Sequence, residues 1–291
     1  YGFSILQNFS STFIRRIKAA RLDVLIEDEL CHPSLFALNG HLRSLCPLVA
    51  LTHHLKSDEE PGNRWNPLYR LLEARFINSV HGHIVNSCTT QNRVQALATG
   101  PLESVTAFPA GNHAGAGLLP RVIRERAAAG GPLRLLFPGN IVPRKGLHTV
   151  VEAMTLVPEV YCKLWVAGSL TMAPGYVKNI RAFIERKGLS GRVAFLGTLS
   201  PESLAQQYVM SDLLVMPSFE GYGIVYVEGQ AYGLPAIAAA VGGAKEVISD
   251  GVDGFFIAPD DAEGLAKYFH TLYNDRPRLA AMSLSAREAF D

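Results

Sequence analysis

Two glutamates eight residues apart, Glu220 and Glu228, flank a glycine-rich turn in the run Met216-Pro217-Ser218-Phe219-Glu220-Gly221-Tyr222-Gly223-Ile224-Val225-Tyr226-Val227-Glu228. The spacing alone is weak evidence, because such pairs arise by chance in many chains of this size. The context adds weight. A Gly-rich turn that opens a helix offers backbone N–H groups and the positive end of a helix dipole, so Gly221, Gly223 and Ile224 suit the oxygens of a phosphate. Glu220, just before the helix, can meet a sugar hydroxyl or a developing charge. Glu228, one to two turns in, can accept both hydroxyls of a ribose.

A second loop, Phe137-Pro-Gly139-Asn140-Ile-Val-Pro143-Arg144-Lys145-Gly146, carries positive charge between two glycines. Gly139 and Gly146 let the backbone approach a ligand, and Arg144 and Lys145 would meet a diphosphate. The alternative is a solvated basic turn, which is the commoner fate of a lone Arg-Lys pair. In the first half, the apolar run Pro47–Leu51 ends in Thr52-His53-His54. A histidine at a strand end is more often structural than catalytic, and both readings of His53 stay open on the residues alone.

Positioning these groups requires short buried strands alternating with amphipathic helices. Apolar runs bounded by Gly, Pro, Ser or Asn recur through the chain, the pattern of a parallel α/β architecture. In the first half the expected strands are Asp23–Ile26, Pro47–Thr52, His83–Asn86 and Ser104–Phe108, with helices near Thr12–Arg21, Asn66–Asn78 and Thr90–Ala98. Ser87 to Thr90 supply hydroxyl caps for the last. In the second half the expected strands are Arg134–Phe137, Lys163–Ala167, Val193–Leu196, Leu213–Met216, Ala236–Ala239 and Gly254–Ile257. Six such strands with helical crossovers make a doubly wound sheet, whose ligands bind beyond the carboxyl ends of the strands. The expected organisation is a first domain over 1–118, a Gly-, Ala- and Arg-rich linker over 119–131 and a second domain over 132–291.

The 291 residues, 48% hydrophobic and 18% charged, are too apolar for disorder and long enough for two cores. Lys and Arg total 27 against 26 Asp and Glu, which argues against a duplex nucleic acid partner. Cys31, Cys46, Cys88 and Cys162 are far apart, with no metal-ligand or disulfide spacing, so reduced thiols, a cytoplasmic location and no metal site are expected. No run is long enough to span a membrane. The start, Tyr1-Gly-Phe-Ser, has no charged region followed by an apolar run and lacks Met, so a natural start further upstream is expected. Phe13-Ile-Arg15-Arg16-Ile17-Lys18-Ala-Ala-Arg21 reads as a basic amphipathic helix, either a solvated face or a peripheral contact at the inner face of an anionic membrane.

Taken in order, Lys145-Gly146, Glu220 with Glu228, Gly233-Leu-Pro235 and Gly242-Gly243-Ala-Lys-Glu246 resemble the motifs of the retaining GT-B glycosyltransferases of family four, the glycosyl-transferase group-one proteins. The resemblance implies two Rossmann-like domains facing a cleft. It also implies a nucleoside-diphosphate sugar as donor substrate, no cofactor, and hexosyl transfer to a glycan, lipid or small-molecule acceptor with retention and without an obligatory metal. Lys145 and Arg144 would neutralise the diphosphate, Glu228 would bind the ribose and Glu220 the transferred sugar. His53 matches a histidine that contacts the donor sugar or its phosphate, whereas Ser87, Thr90 and Gly111-Asn112 match only as landmarks. One departure stands out: the residue after Gly139 is commonly Arg in the family and here is Asn140, which donates a hydrogen bond but no charge. Family members also precede the Asp23–Ile26 strand with about two more strand-helix units and end in a helix crossing back to the first domain. The first domain is therefore expected to be incomplete. The rival of another class is a non-catalytic or truncated sugar-nucleotide-binding module; a phosphorylase would need a pyridoxal-phosphate lysine that nothing marks.

Overall fold

The structure, a computed structural model, describes residues 5–59, 63–111 and 117–290. Tyr1 to Ser4 and Asn112 lie outside them. The chain divides into two compact units, Tyr1–Pro109 and Ala110–Asp291.

In the first unit β1 (Leu25–Asp28), β2 (Leu48–Thr52), β3 (Gly82–Val85) and β4 (Ser104–Thr106) form a parallel sheet in sequence order. Its longer helices are α1 (Ser11–Ala20), α2 (Asn66–Ile77) and α3 (Cys88–Leu97), and Ser10 and Ser87 cap α1 and α3 through the N–H groups of Phe13 and Thr90. β1 begins two residues later than the sequence pattern suggests, which puts Asp28 and Glu29 at its carboxyl end. On the same strand Glu27 is buried, and its Oε2 accepts from Asn39 Nδ2 at 2.8 Å. Glu27 Oε1 and Asn39 Oδ1 are buried without a hydrogen-bond partner. Burial pushes the Glu27 carboxyl up to about 7, against the opposing pull of Asn39. Phe13, Ile14 and Ile17 of α1 pack against the core of this unit, while Arg15, Arg16, Lys18 and Arg21 are exposed. Among the described residues no helix is long and apolar enough to cross a membrane.

The second unit opens on α4 (Pro120–Ala128) and continues with β5 (Leu133–Pro138), α5 (Leu147–Thr155), β6 (Cys162–Ala167), α6 (Pro174–Arg186), β7 (Val193–Gly197) and α7 (Pro201–Met210). β8 (Leu213–Met216), α8 (Ile224–Ala231), β9 (Ala236–Ala239), β10 (Gly254–Ile257), α9 (Ala262–Asn274) and α10 (Arg276–Phe290) follow. The sheet is parallel throughout, in the order β10-β9-β8-β5-β6-β7. This is the doubly wound arrangement in which strand order reverses between β5 and β8. Every residue of β8 and β9 is buried, as helices on both faces require, which is why these strands read as unbroken apolar runs.

The stretch 119–131, expected as a linker, instead contains the whole of α4 and lies within the second unit. Ile123, Arg126 and Ala127 are its buried positions, at helical spacing, and Pro120 sits at its first turn. The Ala and Arg content that suggested a linker belongs to good helix formers. The buried Arg126 guanidinium donates to the carbonyls of Gly233 at 2.6 Å and of Tyr208 and Val209 at 3.4 Å. Burial lowers its pKa to about 10, so it stays charged at neutral pH.

Candidate functional site

The loops that follow β5 and β8 flank the point where the strand order of the second unit reverses, the crevice where doubly wound sheets bind ligands. Both carry sequence-selected residues. The loop after β5 is held against the loop after β6. The Gly139 N–H donates to Ala167 O at 2.8 Å, and a Cβ on Gly168 would fall 2.0 Å from Gly139 O. Asn140 Oδ1 accepts from the Ser169 N–H at 3.1 Å, so this side chain ties the two loops together. Its observed contact is thus a structural one, in addition to the donor-side role expected of it. Gly168 and Ser169 escaped the sequence reading, although a glycine ending the apolar run Lys163–Ala167 was a visible sign of close backbone approach.

Arg144 and Lys145 lie on a short 3-10 turn that ends at Gly146. Gly146 has φ +73° and comes so near Pro217 that a Cβ would lie 2.6 Å from the Pro217 carbonyl oxygen. This packing brings the basic turn to the loop after β8, where Lys145 Nζ donates to Glu220 Oε1. The same oxygen accepts from the buried Ser218 Oγ at 2.6 Å. Lys145 and Glu220, 75 residues apart in sequence, thus form one ion pair across the reversal point, with side chains 13% and 14% exposed. Arg144 is half-buried on the same turn.

The Glu220 loop is supported from behind by the loop after β9. The Gly243 N–H donates to Glu220 O at 2.8 Å. Gly242 adopts φ +68°, and a Cβ there would lie 2.3 Å from the same carbonyl oxygen. A Cβ on Gly243 would meet Gly221 O at 2.4 Å. The Gly-Gly pair is therefore a backbone-to-backbone contact that sets the height of Glu220 in the crevice. Gly223, at φ +95°, caps the start of α8 over the ring of Tyr226, whose buried hydroxyl donates to Met216 O at 3.1 Å. The first turn of α8 begins at Ile224 beside Glu220, and Glu228 follows on the same helix. Glu228 Oε2 accepts from Tyr208 Oη at 2.7 Å.

In the first unit His53 follows β2. Its backbone N–H and that of His54 both donate to Glu29 Oε2, the latter at 3.2 Å. The His53 carbonyl accepts from Thr90 Oγ1 at 3.2 Å, and its Nε2 lies 3.6 Å from Asp28 Oδ2. His54 Nε2 is 2.7 Å from Glu59 Oε1. Burial raises the Glu29 carboxyl above its ordinary range, opposed by the His53 amide and the neighbouring imidazoles. Glu29 was not singled out from the sequence, since only the fold brings the end of β1 beside the end of β2. Ser87 and Thr90 do structural work here, consistent with landmarks. Among the described residues no group of three or more His, Cys, Asp or Glu is arranged to hold a metal ion.

The family described as glycosyl transferases group 1 matches residues 121–289, more than half of the chain. The chain belongs to that family. Lys145, Glu220 and Glu228 all fall inside the matched stretch, and His53 falls outside it. Among curated relatives of this glycosyltransferase-family chain, a D-inositol 3-phosphate glycosyltransferase of Nocardia farcinica is 40% identical over 261 residues, covering 82% of this chain and 56% of the relative. Another, from Mycobacterium sp. (strain KMS), is 36% identical over 243 residues, covering 78% and 53%. The chain thus spans about half the length of these curated relatives. Among solved structures, Anabaena HepE in complex with UDP-glucose superposes with TM-score 0.75 at 24% identity, covering 94% of this chain and 75% of that one. The sucrose-phosphate synthase of Thermosynechococcus elongatus superposes with TM-score 0.79 at 20% identity, covering 96% and 72%. The fold is the GT-B fold.

Proposed function

We propose that the protein is a retaining glycosyltransferase that moves a hexose from a nucleoside-diphosphate sugar to a glycan, lipid or small-molecule acceptor. The observation that carries this reading is the Lys145–Glu220 pair, bridged to Ser218, at the sheet's reversal point beside the N-terminus of α8. A diphosphate arriving there meets Lys145, Arg144 and the first-turn N–H groups of α8, all suited to an anion. It competes with Glu220 for Lys145 and leaves the carboxylate to face the sugar. Glu228, further along α8, takes the ribose hydroxyls.

In the transfer step the bond between the anomeric carbon and the diphosphate oxygen breaks, and the acceptor oxygen bonds to the same face of that carbon. The acceptor proton passes to the departing phosphate oxygen. No protein nucleophile, cofactor or metal is needed in this reading; Lys145 and Arg144 stabilise the charge that develops on the leaving group. In the first unit we assign His53 a role in transfer, on the grounds of its family match.

The names of the relatives support transfer, and the neighbour solved with UDP-glucose supports a nucleotide-sugar donor. D-inositol 3-phosphate in the relatives' names favours a phosphorylated polyol among the acceptor classes. The proposed setting is the cytoplasm, with the exposed Arg15, Arg16, Lys18 and Arg21 resting on anionic lipid; sedimentation with phosphatidylserine vesicles, lost on reversing these charges, tests that contact. Calorimetry with UDP, GDP, ADP and their sugars tests the main reading, and binding by none of them would overturn it. Donor binding without sugar transfer by a chain of the relatives' full length would instead identify a sugar-nucleotide-binding module.

A further inference from the structure

Tyr208 lies in the last turn of α7, two residues ahead of Met210, and belongs to none of the motifs that point to the donor site. It is 1% exposed. Its ring stacks on Tyr232 at 5.5 Å between centroids with the planes 13° apart, and Tyr232 follows directly on α8. Its backbone carbonyl accepts from the buried guanidinium of Arg126, which also holds the Gly233 turn. The phenol is therefore fixed from both sides, and its single O–H is directed onto Glu228 Oε2 at 2.7 Å.

We propose that Tyr208 is the positioning residue for ribose recognition, holding the Glu228 carboxylate so that it can accept the ribose hydroxyls of the nucleotide. The inference rests on the assignment of Glu228 to the ribose. A glutamate on a helix has several rotamers, and ordering it at the moment of binding costs side-chain entropy. A hydrogen bond from a rigid buried donor fixes one oxygen of the carboxylate beforehand. The other oxygen, and the remaining lone pair on Oε2, stay available to accept. Burial, reinforced by the charge of Glu228, holds the Tyr208 phenol well above its ordinary pKa, so it remains a donor across the working pH range. The consequence is selectivity: a carboxylate locked in place distinguishes a ribose from a deoxyribose better than one that must find its rotamer.

The test is the affinity ratio between each ribonucleoside diphosphate and its 2′-deoxy counterpart, measured by calorimetry for UDP, GDP and ADP. Tyr208→Phe keeps the stacked ring and removes only the hydroxyl. The expected result is a ribose preference in the unaltered protein that falls about fivefold in Tyr208→Phe, the size of one ordinary hydrogen bond, while the affinity for the deoxynucleotide, which keeps only its 3′-hydroxyl, falls less. Combined with Glu228→Gln, the loss should not add, because both variants act on one contact. If Tyr208→Phe weakens ribo and deoxy ligands equally, or changes neither, Tyr208 is a packing residue and the proposal falls. If the unaltered protein binds a nucleoside diphosphate but shows no ribose preference, the Glu228 assignment itself is wrong, and the proposal falls with it.

Discussion

At the scale of single residues the site is defined by a competition. Glu220 pairs with Lys145, and in the proposed function it gives Lys145 up to the donor diphosphate. Glu220→Gln should therefore bind plain UDP about threefold more tightly while losing sugar transfer, whereas Lys145→Ala should bind it at least about tenfold more weakly. Calorimetry paired with a donor-turnover assay separates the two, and weaker UDP binding by Glu220→Gln would refute the competition. Glu27 offers a second test, this one of stability. Its folded pKa of about 7 lies above the ordinary 4.5, so the native state holds an extra proton between those values. Stability contributed by the protonated form is thus lost as pH rises through that window and levels off above it. Oε1, buried without a hydrogen-bond partner, is less costly to bury as part of a neutral carboxylic acid than as part of a charged carboxylate. Glu27→Gln should raise the stability of the first unit by about 3 kcal/mol at pH 8 and by almost nothing near pH 4, read from denaturant midpoints. Glu220, Glu228 and Lys145 can be picked out as candidates from the sequence because the chemistry expected of them is local to two loops. Glu29 and Tyr208 were not, since each matters only through a partner on another element, His53 and His54 in one case and Glu228 in the other.

Among elements, the informative ones are loops whose glycines fix how closely two backbones meet. Gly242 at φ +68° presses on the Glu220 carbonyl, so Gly242→Ala adds both a strained φ and a clash with main chain that no rotamer relieves. A loss of about 2–4 kcal/mol in stability is expected, together with weaker donor turnover, while Gly188→Ala, where a Cβ would meet open space at φ +69°, should cost about 1 kcal/mol from strain alone. Thermal melts of the two variants check the difference. The strands of the second unit were readable to within a residue or two, because burial on both faces leaves runs such as Leu213–Met216 with no polar interruption. The helix α4 was not read as one. Its flanking Gly130-Gly131-Pro132 has the composition of a linker, whereas the inward positions Ile123, Arg126 and Ala127 have the spacing of a helix.

For the molecule as a whole, sequence reading located two α/β units but put their division within 119–131, beyond the observed boundary after Pro109. The reason lies in how the second unit closes. α4, near its beginning, packs against α10 at its end: the Gly233 turn lies against both Ile123 and Ser283, and Arg287 Nε donates to Leu118 O at 3.3 Å. The unit is expected to be independent, so that residues 110–291 alone should unfold cooperatively and bind UDP with the affinity measured for the whole chain; calorimetric unfolding and titration of both are the checks. Because α4 and α10 clasp each other, the chain enters and leaves the stretch between them at one place. That stretch is suited to being moved between chains as one piece, with Lys145, Glu220 and Glu228 carried along in their present arrangement.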